Sequence, residues 1–268
     1  MPVALITGAS AGFGRSLATE LAHRGWQLVL DARHAERLTE AANSLPAGAL
    51  VHAMPGDVAD PAHRAELARI VAELPGLDLL VNNASTLGQT PLPSLAEAGL
   101  AELARTYQVN VLGPLGLIQL LLPALSRSAG AVVNISSDAA VADYPGWGAY
   151  GSSKAALDQL TRTLAAECPQ LRWYAFDPGD MRTEMHQAAF PGEDISDRPE
   201  PDTVVPRLLR LLDAAPASGR YLATEFEAGP SPEPIADPSS AEPTADSSST
   251  ADPSPERPAE RQPTQSVR

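Results

Sequence analysis

The chain has 268 residues, 44% of them hydrophobic, and a formal net charge of −14 at pH 7 from 33 acidic and 19 basic side chains. Its single cysteine excludes a disulfide scaffold and a zinc finger. The negative charge disfavours nucleic acids and anionic membranes as partners, because both would repel the protein. The first residues lack a signal-peptide pattern, and no apolar run reaches the roughly 18 residues that span a bilayer, so we expect a soluble, cytoplasmic protein.

Seven short apolar segments alternate with helical ones along residues 1–228. The predicted strands cover residues 3–6, 27–30, 50–53, 77–81, 131–135, 171–176 and 219–223. The predicted helices cover residues 14–24, 35–44, 61–74, 95–126, 149–168 and 202–214, with Asp60 as an N-cap before Pro61. Apolar strands separated by helices indicate an α/β, doubly wound fold, with a mostly parallel seven-stranded sheet and helices on both faces. Such a fold binds its ligand at the carboxyl ends of the strands.

The composition changes abruptly near residue 228. Residues 229–268 contain nine prolines and eight serines, with a net charge of −4 and almost no large apolar side chain. Such a segment cannot bury enough apolar surface to offset its ordering entropy. We therefore predict one domain over residues 1–228 and a disordered, acidic, Pro/Ser-rich tail over 229–268. A solvated extension is favoured over a partner-binding segment.

Three glycines follow the first predicted strand directly. Gly8, Gly12 and Gly14 lie within seven residues, between that strand and a predicted helix. Glycines in this position permit a tight turn and a close approach of a diphosphate to main-chain N–H groups, where the helix N-terminus adds positive potential. Three glycines alone would equally fit a plain loop, but the strand and helix on either side favour a nucleotide site.

Tyr150 and Lys154 are separated by one helical turn. Residues at i and i+4 face the same way, so a phenol and an ammonium can enter one site. A nearby cation lowers the pKa of a tyrosine and suits it to general acid or base catalysis. The same spacing occurs by chance on solvated helices. However, Lys154 is the only lysine in the chain, against 18 arginines, which indicates a role that a guanidinium cannot fill.

These features combine with others in a known order. The glycine pattern, Asn82-Asn83-Ala84, Asn110, Ile135-Ser136-Ser137, the Tyr150/Lys154 pair and Pro178-Gly179 follow one another as in the short-chain dehydrogenase/reductase family, which residues 3 to about 223 resemble. The compact single-domain members are the most similar. The resemblance implies a Rossmann fold and hydride transfer between a nicotinamide cofactor and a carbonyl or alcohol carbon.

The resemblance also implies roles for individual residues. Tyr150 would donate the proton, Lys154 would bind the nicotinamide ribose and lower the pKa of Tyr150, and Ser137 would polarise the carbonyl. Ser137 is preferred to Ser136 by its spacing from Tyr150, and because the two hydroxyls project to opposite faces of the strand end. Asn110 would hold a water in a proton relay. The implied cofactor-binding residues are Gly8, Ser10, Gly12, Phe13, Gly14, Arg33, Asp57, Val58, Asn83, Ala84, Tyr150, Lys154, Pro178, Gly179, Met181 and Thr183, and no metal is implied.

The end of the second strand bears on cofactor choice. An acid there usually binds the ribose 2′-hydroxyl of NAD, whereas an arginine accepts the 2′-phosphate of NADP. Both Asp31 and Arg33 are present, but the family register places the discriminating position at Ala32, with Arg33 next. We therefore predict NADP as the cofactor, with NAD possible. Ser85 stands where the family usually has glycine, which we expect to alter the loop beside the adenosine slightly.

The segment after Pro178-Gly179 resembles the part of the family that covers the substrate. Its side chains and two nearby aromatic ones would line a largely apolar pocket: Tyr144, Trp147, Met185, His186 and Phe190. This favours a small or medium, partly apolar carbonyl or alcohol, with His186 as a polar contact rather than a catalyst. A catalytically silent nucleotide-binding regulator or scaffold is the alternative, and the intact Asn110, Ser137, Tyr150 and Lys154 disfavour it.

Residues 111–125 are apolar on more than one helical face. A sheet can cover only one of these faces, so the pattern indicates a homodimer or homotetramer, as is common in the family. Cover from another helix of the same subunit is the alternative. We expect the acidic tail to take no part in assembly, because tails from several subunits would repel one another.

Overall fold

A computed structural model describes residues 1–227, and the predicted tail at 229–268 lies outside the described residues. Seven parallel strands form one sheet in the order β3-β2-β1-β4-β5-β6-β7. The strands are β1 (Val3–Thr7), β2 (Gln27–Ala32), β3 (Val51–Pro55), β4 (Leu79–Asn82), β5 (Ala131–Ile135), β6 (Arg172–Asp177) and β7 (Gly219–Leu222). The predicted doubly wound sheet is confirmed. Its strand order reverses between β1 and β4, where such folds bind ligands.

Helices cover both faces of the sheet. They are α1 (Gly12–His23), α2 (Ala35–Asn43), α3 (Pro61–Ala72), α4 (Leu100–Tyr107), α5 (Gly113–Ser128), α6 (Gly148–Glu167), α7 (Glu184–Ala189) and α8 (Pro201–Ala214). One apolar layer joins α1, α2 and α8 to the sheet, and the other joins α3, α5 and α6 to the opposite face. The alternation of side chains along β2 supplies both layers, with Leu28 and Leu30 in the first and Val29 in the second.

The helical region predicted over residues 95–126 is helical from Leu100 to Ser128, but it is not α-helical throughout. The chain forms α4, then a π-helical turn over Gln108–Leu112, and then α5. Pro114 explains the interruption, because it has no amide hydrogen to donate to the main-chain carbonyl of Asn110, four residues earlier. The break therefore falls at a residue that the sequence assigns to the candidate site.

The stretch Leu100–Ser128 is long and apolar enough to cross a membrane by length and composition, contrary to our reading of the sequence. More than half of its most apolar window is buried within the protein. Leu117, Ile118, Leu121 and Leu125 pack into the layer that α3 and α5 form on the sheet. Its apolar character therefore serves the core of this fold.

Buried amides join the central strands near their carboxyl ends. Asn82 Nδ2 on β4 donates to Asn134 Oδ1 on β5 at 2.7 Å, and Asn134 Nδ2 donates to Thr161 Oγ1 on α6 at 2.8 Å. All three residues are almost fully buried. Because an unpaired buried amide is costly, this chain of hydrogen bonds holds α6, which carries Tyr150 and Lys154, in a fixed position against the sheet.

Candidate active site

A cleft of about 370 Å³ lies at the carboxyl ends of the strands. Nearly all of the predicted cofactor-binding residues line it, as do Ser137, Tyr150 and Lys154. The cofactor-binding residues in its wall are Gly8, Ser10, Gly12, Phe13, Arg33, Asp57, Val58, Asn83, Ala84, Tyr150, Lys154, Pro178, Gly179, Met181 and Thr183. Residues 1–227 contain no cluster of His, Cys, Asp and Glu that could hold a metal ion.

The glycine loop opens the N-terminus of α1 toward this cleft. Gly8 and Gly12 have φ values of 66° and 52°, in the left-handed region that favours glycine. The N-cap of α1, Ala11, makes no side-chain hydrogen bond, and the first turn has no acidic residue. The free N–H groups of this turn can therefore receive an anionic diphosphate.

Gly14 supports the loop from behind and is absent from the cleft wall. A Cβ atom at Gly14 would lie 2.5 Å from both Asn83 Nδ2 and the main-chain oxygen of Gly8. Asn83 Nδ2 donates to the main-chain oxygens of Thr7 and Gly8, at 2.9 and 3.2 Å. Gly14 thus permits close packing of α1 on the glycine loop. We predicted that Gly14 would contact the cofactor directly, but it supports the loop from behind instead.

Tyr150 lies at the inner end of the cleft with its hydroxyl beside those of Ser137 and Ser85. Burial raises the pKa of Tyr150, an effect that the nearby Ser137 hydroxyl opposes and the charges of Asp177 and Asp138 reinforce. The lowering of this pKa that we expected from Lys154 does not outweigh burial; Lys154 Nζ lies over the ring, 5.5 Å from its centroid. The phenol therefore keeps its proton at neutral pH.

Lys154 is enclosed by α6 and the sheet. Its Nζ donates to the main-chain oxygen of Ile135 at 2.8 Å, and only 2% of the residue is exposed. Burial lowers the pKa of Lys154 to about 8, while the charges of Asp158 and Asp177 act in the opposite direction. The ammonium is therefore retained at neutral pH and lost in mild alkali.

Arg220 on β7 connects Asp158 and Asp177 to the loop after β5, which carries Ser137. Its guanidinium donates to Asp158 Oδ2 at 3.1 Å, to Asp177 Oδ2 at 2.8 Å and to the main-chain oxygen of Ser137 at 3.1 Å. We did not predict any role for Arg220, Asp158 or Asp177. The position of Asp158, one turn after Lys154 on the same helix, was an available signal, whereas nothing in the sequence around Arg220 indicated its role.

The two serines after β5 differ in their surroundings. Ser137 Oγ donates to Asp138 Oδ1 at 3.0 Å and accepts from the main-chain N–H of Ala139 at 3.2 Å. Ser136 is 2% exposed, and its Oγ has no hydrogen-bond partner within residues 1–227. The hydroxyl beside Tyr150 belongs to Ser137, in agreement with the choice made from the family spacing.

Asn110 lies behind the cleft wall in the π-helical turn. Its Nδ2 donates to Thr86 O and Ser153 Oγ, both at 2.9 Å, and its Oδ1 accepts from Thr86 N at 2.9 Å and Ser85 Oγ at 3.1 Å. These bonds use the full capacity of the amide. The side chain is therefore not available to hold the water of a proton relay. The Asn110 carbonyl, which Pro114 deprives of its α-helical donor, is the group that can do so.

Ser85, at the position where the family usually has glycine, contacts Asn110 and Tyr150. Its Oγ donates to Asn110 Oδ1, and the hydroxyl lies next to that of Tyr150. The residue that replaces the usual glycine thus adds a hydroxyl at the reacting end of the cleft.

At the end of the cleft opposite Tyr150, most of the charged residues form ion pairs. Asp57 accepts from the main-chain N–H of Ala59 at 2.9 Å and forms an ion pair with Arg105. Arg37 donates to both carboxylate oxygens of Glu184, at 2.9 and 2.7 Å. Arg33 lines the cleft and makes no ion pair within residues 1–227. It is thus the cation available to a ligand phosphate.

An aromatic group covers the cleft beside Tyr150. The ring centroid of Trp147 lies 5.7 Å from that of Tyr150 and 5.9 Å from that of Phe190. Met185 and His186 on α7 also line the cleft, whereas Tyr144 donates its hydroxyl hydrogen bond to Asp138 Oδ2 at 2.8 Å. Thr183 caps α7, a helix we did not predict, by accepting from the N–H of His186. At the Tyr150 end of the cleft, Trp147 and Met185 therefore form an apolar wall beside the phenol of Tyr150 and the imidazole of His186.

Comparisons with known proteins agree with this geometry. The short chain dehydrogenase family matches residues 2–194. Sepiapterin reductase from Meriones unguiculatus is 39% identical over 201 residues, covering 70% of this chain and 77% of that protein, and serine 3-dehydrogenase from Agrobacterium fabrum is 36% identical over 185 residues, covering 68% and 72%.

Solved structures are also similar. An alcohol dehydrogenase from Thermococcus sibiricus, complexed with 5-hydroxy-NADP, has a TM-score of 0.74 at 29% identity and covers 83% of this chain and 95% of its own. A short-chain dehydrogenase from Shigella flexneri, complexed with NADP, has a TM-score of 0.75 at 30% identity, with coverages of 83% and 97%.

The single lysine allows the pKa at this site to be measured directly. In protein labelled with ¹³C-lysine, we expect one side-chain signal that titrates near pH 8, because burial penalises the ammonium. Asp158→Asn should lower this pKa further, since it removes a favourable charge. A signal that titrates at the ordinary 10.5 would contradict the burial argument.

Proposed function

Because this chain belongs to the short-chain dehydrogenase/reductase family, we propose that it is an NADP(H)-dependent enzyme that interconverts a carbonyl and an alcohol on a small or medium, partly apolar substrate. The observation that carries this proposal is the meeting of Tyr150, Ser137 and Lys154 in the cleft that the glycine loop opens. A silent nucleotide-binding scaffold would have no use for a buried, costly ammonium beside a buried phenol.

The protein supplies a proton and an oriented carbonyl. Bound NADPH supplies the hydride for reduction. Tyr150 holds a proton at neutral pH and can donate it to the carbonyl oxygen as negative charge develops there. The Ser137 hydroxyl, held by the N–H of Ala139, would turn its hydrogen from Asp138 to the same oxygen and so orient it. Lys154 contributes positive charge at the ring of Tyr150, which stabilises the phenolate left after proton transfer.

The route for reprotonation of Tyr150 leads inward. Ser85 Oγ connects the phenol region to Asn110, and Lys154 lies on the same side of the cleft. A water on the main-chain carbonyl of Asn110 would extend this route toward solvent. The amide of Asn110 acts here as a clamp, because it holds the loop after β4 to α6 through Thr86 and Ser153.

Two observations support NADP(H) over NAD(H). Ala32 leaves no carboxylate at the position that discriminates between the cofactors in the family, and Arg33 follows it as an unpaired cation in the cleft wall. The similar structures from Thermococcus sibiricus and Shigella flexneri contain 5-hydroxy-NADP and NADP. A guanidinium accepts the 2′-phosphate by paired, charge-assisted hydrogen bonds.

The apolar surface of α5 supports assembly into a homodimer or homotetramer. Within one subunit, α3 and the sheet cover Leu117, Ile118 and Leu121. Packing inside one subunit, the alternative explanation, therefore accounts for part of the apolar surface predicted over residues 111–125. Leu112 and Leu120 remain 44% and 46% exposed. Leu112 ends the π-helical turn directly before α5 and Leu120 lies on α5, so these two large exposed apolar side chains favour a contact with a second copy.

Tyr150→Phe is expected to lower kcat for carbonyl reduction by at least about 100-fold, because it removes the transferable proton and little packing. NADPH affinity, measured by fluorescence titration, should stay nearly unchanged. Lys154→Arg should also be severely impaired, because a planar guanidinium cannot occupy the place of an ammonium. Retention of more than a tenth of the wild-type rate by Tyr150→Phe would exclude this residue as the acid.

Arg33→Ala is expected to raise the KM for NADPH by about 10- to 100-fold through loss of charge-assisted hydrogen bonds to the 2′-phosphate. The KM for NADH should hardly change. Steady-state kinetics with both cofactors tests this, with Arg69→Ala as a control, since Arg69 pairs only with Glu66 and Glu73 of its own helix. Equal effects on both cofactors would contradict the assignment.

Multi-angle light scattering at micromolar concentration should give the mass of a dimer or tetramer for the full chain. Replacing both Leu112 and Leu120 by Asn should lower that mass, because the exposed apolar surface is lost. A monomeric wild-type protein would refute the proposed interface.

A further inference from the structure

A buried acid and a histidine meet at the end of the cleft opposite Tyr150. His63 Nε2 on α3 lies 2.6 Å from Asp31 Oδ1 on β2, and their side chains are 9% and 1% exposed. Asp31 lines the cleft next to Ala32 and Arg33, the region where the 2′-phosphate is expected. The pair is not used by the mechanism proposed above.

The fold positions this pair closely. Side chains alternate along β2, so Asp31 follows Val29 onto the face covered by α3, where His63 projects from the first turn. The His63 ring occupies the space above Gly56, where a Cβ atom would lie 2.1 Å from His63 Nδ1. The ring is therefore confined against the carboxylate, and any side chain at position 56 would displace it.

Asp31 depends on His63 for neutralisation. Its second carboxylate oxygen, Oδ2, is buried and has no hydrogen-bond partner within the part of the chain that the structure describes. Arg105 is paired with Asp57, and Arg37 with Glu184, so neither cation compensates Asp31. Burial raises the pKa of Asp31, and the hydrogen bond and charge of His63 oppose that rise. Without a proton on His63, an ionised Asp31 would be an unbalanced charge at the cleft wall, in a poorly solvated place.

Several acids act on His63 together. Asp31 on β2 contacts it, and Asp57 after β3, Asp60 at the N-cap of α3 and Glu66 on α3 lie near enough to interact with its charge. The hydrogen bond that His63 donates to Asp31, despite the opposing effect of burial, raises the pKa of His63 above its ordinary value. The imidazole therefore keeps its proton to a higher pH than a free histidine does.

We propose that His63 is a specificity-determining residue for the cofactor: its cation cancels the charge of Asp31, so that the cleft accepts the 2′-phosphate of NADP(H) instead of repelling it. This inference rests on the proposed use of NADP(H). His63 acts through Asp31 and is thus a positioning residue. NAD(H) lacks the 2′-phosphate, so its binding is insensitive to this charge.

The test compares the two cofactors in variants of the pair. His63→Gln keeps an amide donor near Asp31 but removes the cation. Dissociation constants for NADPH and NADH would be measured by quenching of tryptophan fluorescence at pH 7 to 9, where the 2′-phosphate is fully ionised. At pH 7.5, His63→Gln should weaken NADPH binding by about tenfold, as one uncompensated charge near a dianion requires. NADH binding should change less than about twofold, since no phosphate faces that charge.

The double variant Asp31→Asn/His63→Gln should recover wild-type NADPH affinity, because both charges are then absent. In the wild type, the preference for NADPH should decline as pH rises and approach that of His63→Gln, since His63 loses its proton. The double variant retains His34, which also lines the cleft, and thus serves as the reference for pH effects that arise outside the His63/Asp31 pair. Titration of Lys154 cancels in the ratio of the NADPH and NADH dissociation constants, because both cofactors carry the nicotinamide ribose.

Exposed His23 provides the control variant His23→Gln, which should bind both cofactors as the wild type does. Equal losses of NADPH and NADH affinity in His63→Gln, or no recovery in the double variant, would show a purely structural pair and overturn the proposal. A wild-type protein that prefers NADH would instead refute the proposed NADP(H) function, which separates the two failures.

Discussion

A single ammonium, that of Lys154, lies inside the protein, and the surrounding structure is organised around keeping it charged. The main-chain oxygen of Ile135 accepts its hydrogen bond, and Asp158 and Asp177 offset part of the cost of burial. Because two acids in the interior would be unfavourable by themselves, Arg220 pairs with both and also holds the carbonyl of Ser137. The position of Ser137 is thus tied to the ion pairs of Arg220 with Asp158 and Asp177.

The cleft must also receive an anionic cofactor in a chain of net charge −14. Groups close to the cleft outweigh the repulsion that the net negative charge of the chain would exert on the cofactor. The uncapped N-terminus of α1 presents N–H groups to the diphosphate, and two acids in the cleft wall near the opposite end have cationic partners, with His63 beside Asp31 and Arg105 beside Asp57. Neutralisation at short range matters more here than net charge, because screening in solvent weakens distant charges far more than buried neighbours.

Burial reverses a simple expectation about Tyr150. A cation one helical turn away should lower the pKa of a phenol, but loss of solvent raises it by more, and the ammonium lies over the ring. A phenol that keeps its proton suits the role of acid in reduction. In the proposed mechanism, Lys154 then acts mainly after proton transfer, when the phenolate needs a positive charge nearby.

The sequence by itself determined the seven strands and most of the helices, and it indicated the main candidate site residues, although it missed α7. Hydrophobic periodicity located all seven strands to within two residues, and the spacing of Gly8, Gly12, Tyr150 and Lys154 identified residues that the sheet then brings to one edge. These features depend on local properties, such as side-chain alternation, glycine conformation and helical repeat. Only the tertiary structure decided which groups meet across the chain: His63 with Asp31, Arg220 with Asp158 and Asp177, and Ser85 with Asn110. Such pairs are separated by 25 to 62 residues and arise from the order in which strands assemble, which no local pattern records.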